Sequence, residues 1–442
     1  MKTHKTDGWS NVLTGLGQAQ DPIRANQYLR APMLARETLD SVFAGDGLGR
    51  RIVEMPAEEA VRPWITIDGD EGASVLDILE ALGTRHCALD AYVWARLYGG
   101  SVIITLLDDG LDLDQPVNPR GIEAVIGHRV YDRHEVYRDP GVAANTMQRG
   151  IPVSRYYDPE YYSVSPVDGE PFRAHRSRLS ILGGKRLPSR LRTANLGWDA
   201  SVLQGVHDRL AAVGTTYGYA QNIMRDFVQG VLAVKGLGEM VEFREAEVKR
   251  RLELLDMSRS VVNMLLLDAD GEQYTRISAQ VGGLSDLLDR FNSSLAAAAG
   301  IPVTKLFGTS PGGLNATGDA DIRNYYDALD ADRQRVLGAA LESIVRDIYR
   351  SRSGPTGGRE PDAWSIRWNP LWQIDDTAAA ALRLTIAQSD AIYLDRGVLA
   401  PEDVTAARFG ADGWAMDAVV DDIDTAGYGP DPEPGTDIAE AP

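Results

Sequence analysis

The sequence predicts a mixed α+β protein, with long helices around small β-rich pieces. Three observations carry this. Apolar residues recur every three to four positions over several long runs, the period of a helix with one buried face. Residues 110–197 instead hold short β-like pieces among Pro, Gly, Tyr and Arg. A compact strand–helix–hairpin pattern at 229–280 then separates two helical runs.

Taken in order, residues 1–30 are polar and weakly patterned and read as an N-terminal arm. From Met33 to Arg62 the spacing is helical and broken at "GDGLG". Trp64 to Ile67 reads as a short strand, turned by Asp68, Gly69 and Asp70. A helix is predicted over Ala73 to Tyr98, and "GGSVIITLLD" as a buried-type strand. The β-rich layer offers "IEAVIGHRVYD", "PVSRYYD", "YYSVSP" and "RLSIL" as strands. Asp199 is placed to cap a long helix carrying Val202, Val206, Leu210, Val213, Tyr217, Ala220, Met224 and Phe227 on one face. About thirty such residues would reach roughly 45 Å.

The insertion reads as a strand ("GVLAVKGL"), a helix ("EFREAEVKRRLELLDMSR") and a hairpin turning at Asp270-Gly271. "GLSDLLDRFNSSLAAAAG" is a further helix, followed by a Gly-rich segment. Asp319 to Tyr349 is the next long helix, with Ile322, Tyr326, Leu329, Val336, Leu341, Ile344 and Ile348 on its apolar side. "SGPTGGREPDA" is a linker, "WSIRWNPLW" a strand ending at a proline, and 376–411 two helices. The tail from Met416 to Pro442 holds eight acidic residues and no basic ones, a composition that does not fold alone.

Charge narrows the function. The 442-residue chain carries a formal −19, and the body without the tail is still −11. Proteins that grip DNA electrostatically are basic, because cations displace counterions at the phosphates. An acidic surface fits plain solubility, or a wall that lets a polyanion pass without sticking. The single cysteine, Cys87, rules out an internal disulfide and fits assembly in a reducing compartment. The N-terminus lacks a signal-peptide core, and no uncharged stretch is long and apolar enough to span a bilayer, so no membrane anchor is expected.

The Gly-rich "GTSPGGLNATGD" invites a nucleotide reading. A phosphate loop needs a Lys and a hydroxyl at the helix start, and here the helix opens on Asp319, which repels phosphate. "GDGLGRR" lacks the full dinucleotide spacing and a leading strand. "DADGE" at 268–272 begins like a calcium loop, but its twelfth position is Ala279, not a carboxylate. Scattered histidines and one cysteine make no zinc cluster, and neither metal nor cofactor is expected. Two His-x-hydroxyl tripeptides, His4-Lys5-Thr6 and His175-Arg176-Ser177, fit the pattern of two-histidine phosphoesterases, with one imidazole as base and the other as acid. Chance produces such tripeptides, and the first lies in the arm. His207 reads as a packing or surface residue.

The order of elements and the strings "HRSRLSILGGKRLP", "WDASVLQGVHDRL" and "AAAAGIPVTKLFGTSPGGLNATGDADIRNYYDAL" resemble the portal (head-to-tail connector) proteins of tailed bacteriophages, in a family long catalogued as of unknown function. The likeness runs from about residue 30 to 412, and "GIPVTKLFG…GLNATG" is its most specific part. It implies the phage portal fold: a wing at 31–198, a first stem helix at 199–228, an α/β clip at 229–280 and a second stem helix at 281–300. A tunnel loop at 301–316, a long wing helix at 317–352, a helical crown side at 353–415 and the acidic tail at 416–442 complete it.

By the same resemblance the chain would be a non-enzymatic structural protein. Twelve copies would ring one capsid vertex of the virion after assembly in the host cytoplasm, forming the channel for DNA packaging and ejection. Its partners would be the major capsid protein and scaffold, the large terminase, a head–tail connector or adaptor, and double-stranded DNA touched weakly. The tunnel loop would comprise Val303, Thr304, Lys305, Leu306, Phe307, Gly308, Thr309, Ser310, Pro311, Gly312, Gly313, Leu314 and Asn315. Glycines would let it follow an asymmetric double helix inside a symmetric ring. Lys305, the one cation near it, would either touch phosphate or pair with an acid of a neighbouring subunit. A two-histidine phosphoesterase and a capsid adaptor without a channel are the alternatives.

Overall fold

A computed structural model describes residues 32–139, 147–148, 151–152, 159–225, 228–234, 272–278, 283–308, 318–372 and 376–409, with isolated positions between 246 and 253. Its chain divides into two units, residues 1–371 and 372–442.

The break expected at 45–49 is real. Helix α1 (Arg36–Gly45) stops where Asp46 turns extended, and the Asp46 carboxylate accepts the Gly49 N–H at 2.7 Å, capping α2 (Gly47–Val61). Strand β1 (Ile65–Gly69) follows, displaced one residue from the predicted start. The single helix predicted over 73–98 is two, α3 (Gly72–Ala81) and α4 (Thr84–Tyr98). Gly83 separates them in the left-handed region, at φ 65°. Helix α4 ends on Gly99, also left-handed, where a Cβ would collide with the Asp199 carbonyl.

Strand β2 (Gly100–Asp108) is the buried strand expected, central between β3 (Ala124–Asp132) and a later strand, β7 (Leu179–Gly183), antiparallel to both. A second sheet orders β4 (Val136–Asp139), β5 (Tyr161–Val164) and β6 (Phe172–His175). Most of "PVSRYYD" lies outside the described residues. The two layers share a small apolar core around Val102, Ile104, Val136, Tyr162 and Trp198. Between them Arg178 and Asp109 form an ion pair with both side chains fully buried, 2.9 Å apart; Asp109 also accepts the Asn118 N–H at 3.1 Å.

A short helix, α5 (Ser189–Ala194), leads to the largest correction. Asp199 caps no helix. It is buried, and its carboxylate accepts the Leu187 N–H at 3.3 Å and faces Arg192 at 3.6 Å. A 3₁₀ turn at Val202–Gly205 intervenes, capped by Ser201, and the helix proper is α6 (His207–Arg225), shorter than the predicted thirty residues. The aspartate is claimed by tertiary contacts that local spacing does not reveal.

In the insertion, β8 (Val228–Val234) pairs antiparallel with β9 (Glu272–Ser278). The insertion's helix and the Asp270-Gly271 turn lie mostly outside the described residues. Helix α7 (Leu284–Ala299) packs against α6. After a short turn, α8 (Val303–Phe307), comes α9 (Asp319–Arg350). Helix α9 buries Tyr326, Leu329, Val336, Leu341, Ile344 and Ile348 as predicted, with Ile322 packed at the edge. It joins α2, α3, α4 and β7 around the main core.

The predicted linker is pinned: Glu360 reaches Arg346 at 3.2 Å and Arg350 at 2.8 Å. Strand β10 (Trp364–Trp368) returns to pair with β1, a pairing across three hundred residues that no local pattern could announce. In the second unit, α10 (Asp376–Asp395) and α11 (Pro401–Phe409) appear as the two expected helices, tied by Arg408 to Asp390 at 3.0 Å. No described helix is long and apolar enough to cross a membrane.

Candidate functional site

The opening of the Gly-rich segment is built on a firm foot. Helix α7 ends at left-handed Gly300, and Ile301 turns into the main core, where it is buried. Pro302 then starts α8, whose Leu306 is also buried, and left-handed Gly308 ends it. Residues 303–307, expected as loop, are therefore a helical turn. Gly308 releases the chain into 309–317, and left-handed Gly318 returns it to α9. Thr309, Ser310, Pro311, Gly312, Gly313, Leu314 and Asn315 lie outside the described residues.

Lys305 resolves the question the sequence left open in a third way. Its ammonium donates to Glu59 Oε1 of its own chain at 2.6 Å and to the Tyr326 hydroxyl at 2.9 Å. It also sits 4.7 Å from the Tyr326 ring centroid. Burial alone would depress the lysine, but the hydrogen bonds from Glu59 and Tyr326 outweigh it and raise its pKa. Arg51 adds a bond to the Lys305 carbonyl at 2.7 Å. The buried Tyr325 phenol is pushed up, first by burial and then by the Glu59 charge. Two helices, α2 and α9, thus hold the first turn of the segment by charge as well as packing. Sequence reasoning missed Arg51, Glu59 and Tyr325, because the partners lie far along the chain from Lys305.

Before this foot, α6 and α7 pack against each other, with the paired strands β8 and β9 between them in sequence. Leu210, Val213 and Ala220 of α6 and Leu295 and Ala296 of α7 are buried. Asn292 donates to the Tyr217 hydroxyl at 3.0 Å. Tyr217, Tyr219 and Ile223 of α6 and Leu287 of α7 remain exposed, Tyr219 at 65%.

His175 caps a 3₁₀ turn: its Nδ1 accepts the Ser177 N–H at 3.2 Å and lies 2.9 Å from Ser177 Oγ, which in turn accepts the Val117 N–H. His4 lies outside the described residues. His207 begins α6 beside its neighbour Asp208, in keeping with a surface residue. Residues 268–271 of "DADGE" are outside the described set, and Glu272 opens β9. Among the described residues no group of three or more His, Cys, Asp or Glu is placed to hold a metal ion.

Two β layers, two packed helices flanking a small ladder in sequence, a glycine-flanked segment and a long helix returning through the core make this an α+β protein of the portal fold. The chain belongs to the phage portal protein family, whose model matches residues 37–392, slightly inside the span suggested by the sequence strings. Its fold is similar to a chain in the neck of a native gene transfer agent (GTA) particle computed with C12 symmetry. The TM-score there is 0.52 at 15% identity, covering 84% of this chain and 93% of that one. It is 29% identical over 394 residues to "Anti-CBASS protein Acb1" of Caulobacter sp. (strain RHG1), covering 85% of this chain but 60% of that protein's length. It is also 25% identical over 405 residues to an uncharacterized protein of Haemophilus influenzae, covering 89% of this chain and 87% of the relative.

Proposed function

We propose that copies of this chain close into a ring, twelve in number, at one capsid vertex, and that DNA is packaged and ejected through its centre. The ring would dock the large terminase on one side and a head–tail connector on the other. Helices α6 and α7 would be the stem, the β8–β9 ladder the described part of the clip, and α9 the long wing helix. Helices α10 and α11 would form the crown side. The tunnel loop would be the Gly-rich segment at 303–315, tied to the core at its start by Leu306 and the Lys305 contacts. The observation that carries this most directly is the exposed Tyr219 and Ile223, one turn apart on the side of α6 away from the Tyr217–Asn292 contact, in a single copy. Such a face is normally covered by a partner, and in a ring the neighbouring stem covers it. The C12 symmetry of the structurally similar neck supports the number. The acidic charge suits a conduit that holds DNA weakly.

Negative-stain imaging of the purified chain tests it, with a wheel and central hole expected. A filter-binding titration should find little DNA retained at physiological salt. Monomers that bind DNA tightly and without salt dependence would overturn the proposal. A second reading, a two-histidine phosphoesterase, draws on the name of the Caulobacter relative, which is an anti-CBASS protein. Against it, His175 is occupied in capping its own turn. Hydrolysis of cyclic oligonucleotides by the wild type, abolished by His4→Ala or His175→Ala, would establish that reading instead.

A further inference from the structure

The string "HRSRLSILGGKRLP" runs into the most basic stretch of an acidic chain. From residue 171 to 198 there are seven lysines and arginines and no carboxylate, in a protein with 64 acidic residues against 45 lysines and arginines. The fold explains some of these cations. Arg178 pairs with buried Asp109, and Arg192 bonds the Gly197 carbonyl and faces Asp199. It does not explain Lys185, Arg186 and Arg190. All three are exposed, and none of their side chains makes an ion pair or a hydrogen bond among the described residues.

The backbone under these three cations is fixed. Gly184 is buried where a Cβ would collide with the Ala200 carbonyl and Gly99 Cα. Lys185 exchanges both of its backbone hydrogen bonds with Ala200, each at 2.9 Å. The Asp199 carboxylate accepts the Leu187 N–H, and the Pro188 carbonyl accepts the Leu191 and Arg192 N–H groups at 2.9 Å. The carboxylates beside the turn are already engaged. Asp332 on α9, whose charge acts on Lys185, accepts from Arg335 through one oxygen and from the Tyr92 hydroxyl through the other. Asp199 is buried. Arg335 also reaches the Gly184 carbonyl at 3.4 Å, which brings a further guanidinium to the turn.

We propose that the turn at 185–190 is a contact for the phosphate backbone of double-stranded DNA, separate from the Gly-rich segment. Lys185, Arg186 and Arg190 each meet a phosphate and release its counterions. Protein partners are anchored on apolar and aromatic groups that become buried. No large apolar side chain is exposed between 185 and 190, so the turn offers a protein no such anchor. A phosphate backbone asks only for cations on a firm support. The acidic remainder of the chain keeps the contact weak, and at physiological salt its repulsion is screened beyond about 8 Å. The contact belongs to a single copy and goes beyond the ring reading.

Fluorescence anisotropy of the full chain with a labelled duplex of about 12 base pairs, roughly 40 Å long, is the test, from about 20 to about 200 mM salt. Weak binding is expected at low salt, with a slope of log K against log salt of about −3, as for three phosphates. A triple variant, Lys185→Ser with Arg186→Ser and Arg190→Ser, should flatten that slope by about 2–3 and weaken low-salt binding about tenfold or more. A control variant removes the same charge at three exposed arginines elsewhere, Arg62→Ser with Arg359→Ser and Arg396→Ser, and should bind as the wild type does. Thermal melting confirms that both variants are folded. Negative-stain imaging of the triple variant separates loss of this contact from loss of the ring. No binding at low salt overturns the proposal, as does an unchanged slope in the folded triple variant. Equal weakening in the control would assign the effect to net charge and overturn the turn as the site. Polyglutamate bound more tightly than the duplex would overturn DNA as the partner.

Discussion

The main core and the α6–α7 pair are built by opposite rules. In the core, helix α9 gives nearly every apolar side chain a protein neighbour, and its charges are partnered too. Arg333, 1% exposed, bonds the Ala60 carbonyl at 3.1 Å, the Asn369 carbonyl at 2.7 Å and Asp330 at 2.8 Å, and stacks 4.9 Å from Trp368. Tyr92 donates to Asp332 at 2.6 Å. In the pair, α6 buries a thin stripe against α7 and leaves Tyr217, Tyr219 and Ile223 in water. Helices draw most of their stability from tertiary packing. The core has such packing, and the pair leaves part of its apolar surface exposed in a single copy.

The largest expected effect comes from breaking the β layers from within. Asp109→Ala leaves Arg178 charged, buried and without its carboxylate, which should cost about 3–5 kcal/mol. Urea unfolding measures this. A loss under 1 kcal/mol would mean that the β layers are looser than the geometry implies, and would weaken the contrast with the α6–α7 pair.

A smaller effect is expected where the two regions meet. Glu59→Gln removes the charge facing Lys305 and should cost about 1–3 kcal/mol. The consequence is local: amide exchange should rise over 301–308 while α9 stays protected. Uniform acceleration across the main core would show that residues 301–308 unfold with the core rather than locally.

What sequence made legible follows the same division. Periodicity located α9 and its buried face, because its period matches a core that covers one side. It also located β2, whose uninterrupted apolar run belongs to a strand buried on both faces. It missed contacts between residues distant in sequence: β1 with β10, Lys305 with Glu59, Arg178 with Asp109. Asp199 shows why. An aspartate ahead of an apolar run is the pattern of an N-cap, yet here its carboxylate is used by Leu187 and Arg192. The strings around 296–329 marked the family because they combine a buried Ile301 and Leu306 with left-handed Gly300, Gly308 and Gly318, a set with few substitutes. The Arg51–Glu59–Tyr325 surroundings of Lys305 had no such local mark.

The pH response sharpens the account of the core. Asp347 on α9 is raised to about 6, first by burial, against the pull of Arg350 and Arg346. The folded state thus holds a proton that the unfolded chain gives up near 3.8. The stability from that proton is full below about pH 4 and is lost as pH rises through about 6. Asp347→Asn should therefore stabilise the fold at pH 7 by about 1–2 kcal/mol, allowing for partial exposure, and by nothing at pH 4. Denaturant midpoints of both proteins across that range give the answer. A constant difference would mean that Asp347 is already solvated.

The smallest effect on folding should have the largest effect on assembly. Tyr219 and Ile223 are exposed on α6, so changing both to Ser should move the stability of a single chain by no more than about 0.5 kcal/mol each. If the apolar face of the pair is the surface on which copies meet, the same changes remove area that only association buries, and at twelve equivalent contacts the loss is repeated around the ring. Sedimentation velocity should then show wild-type rings and variant monomers with indistinguishable melting curves. Rings that persist in the double variant would show that the exposed side chains of α6 do not close the assembly. The contrast between the packed core and the exposed helix pair would then have to rest on the α7 side, at Leu287, where the same substitution repeats the test.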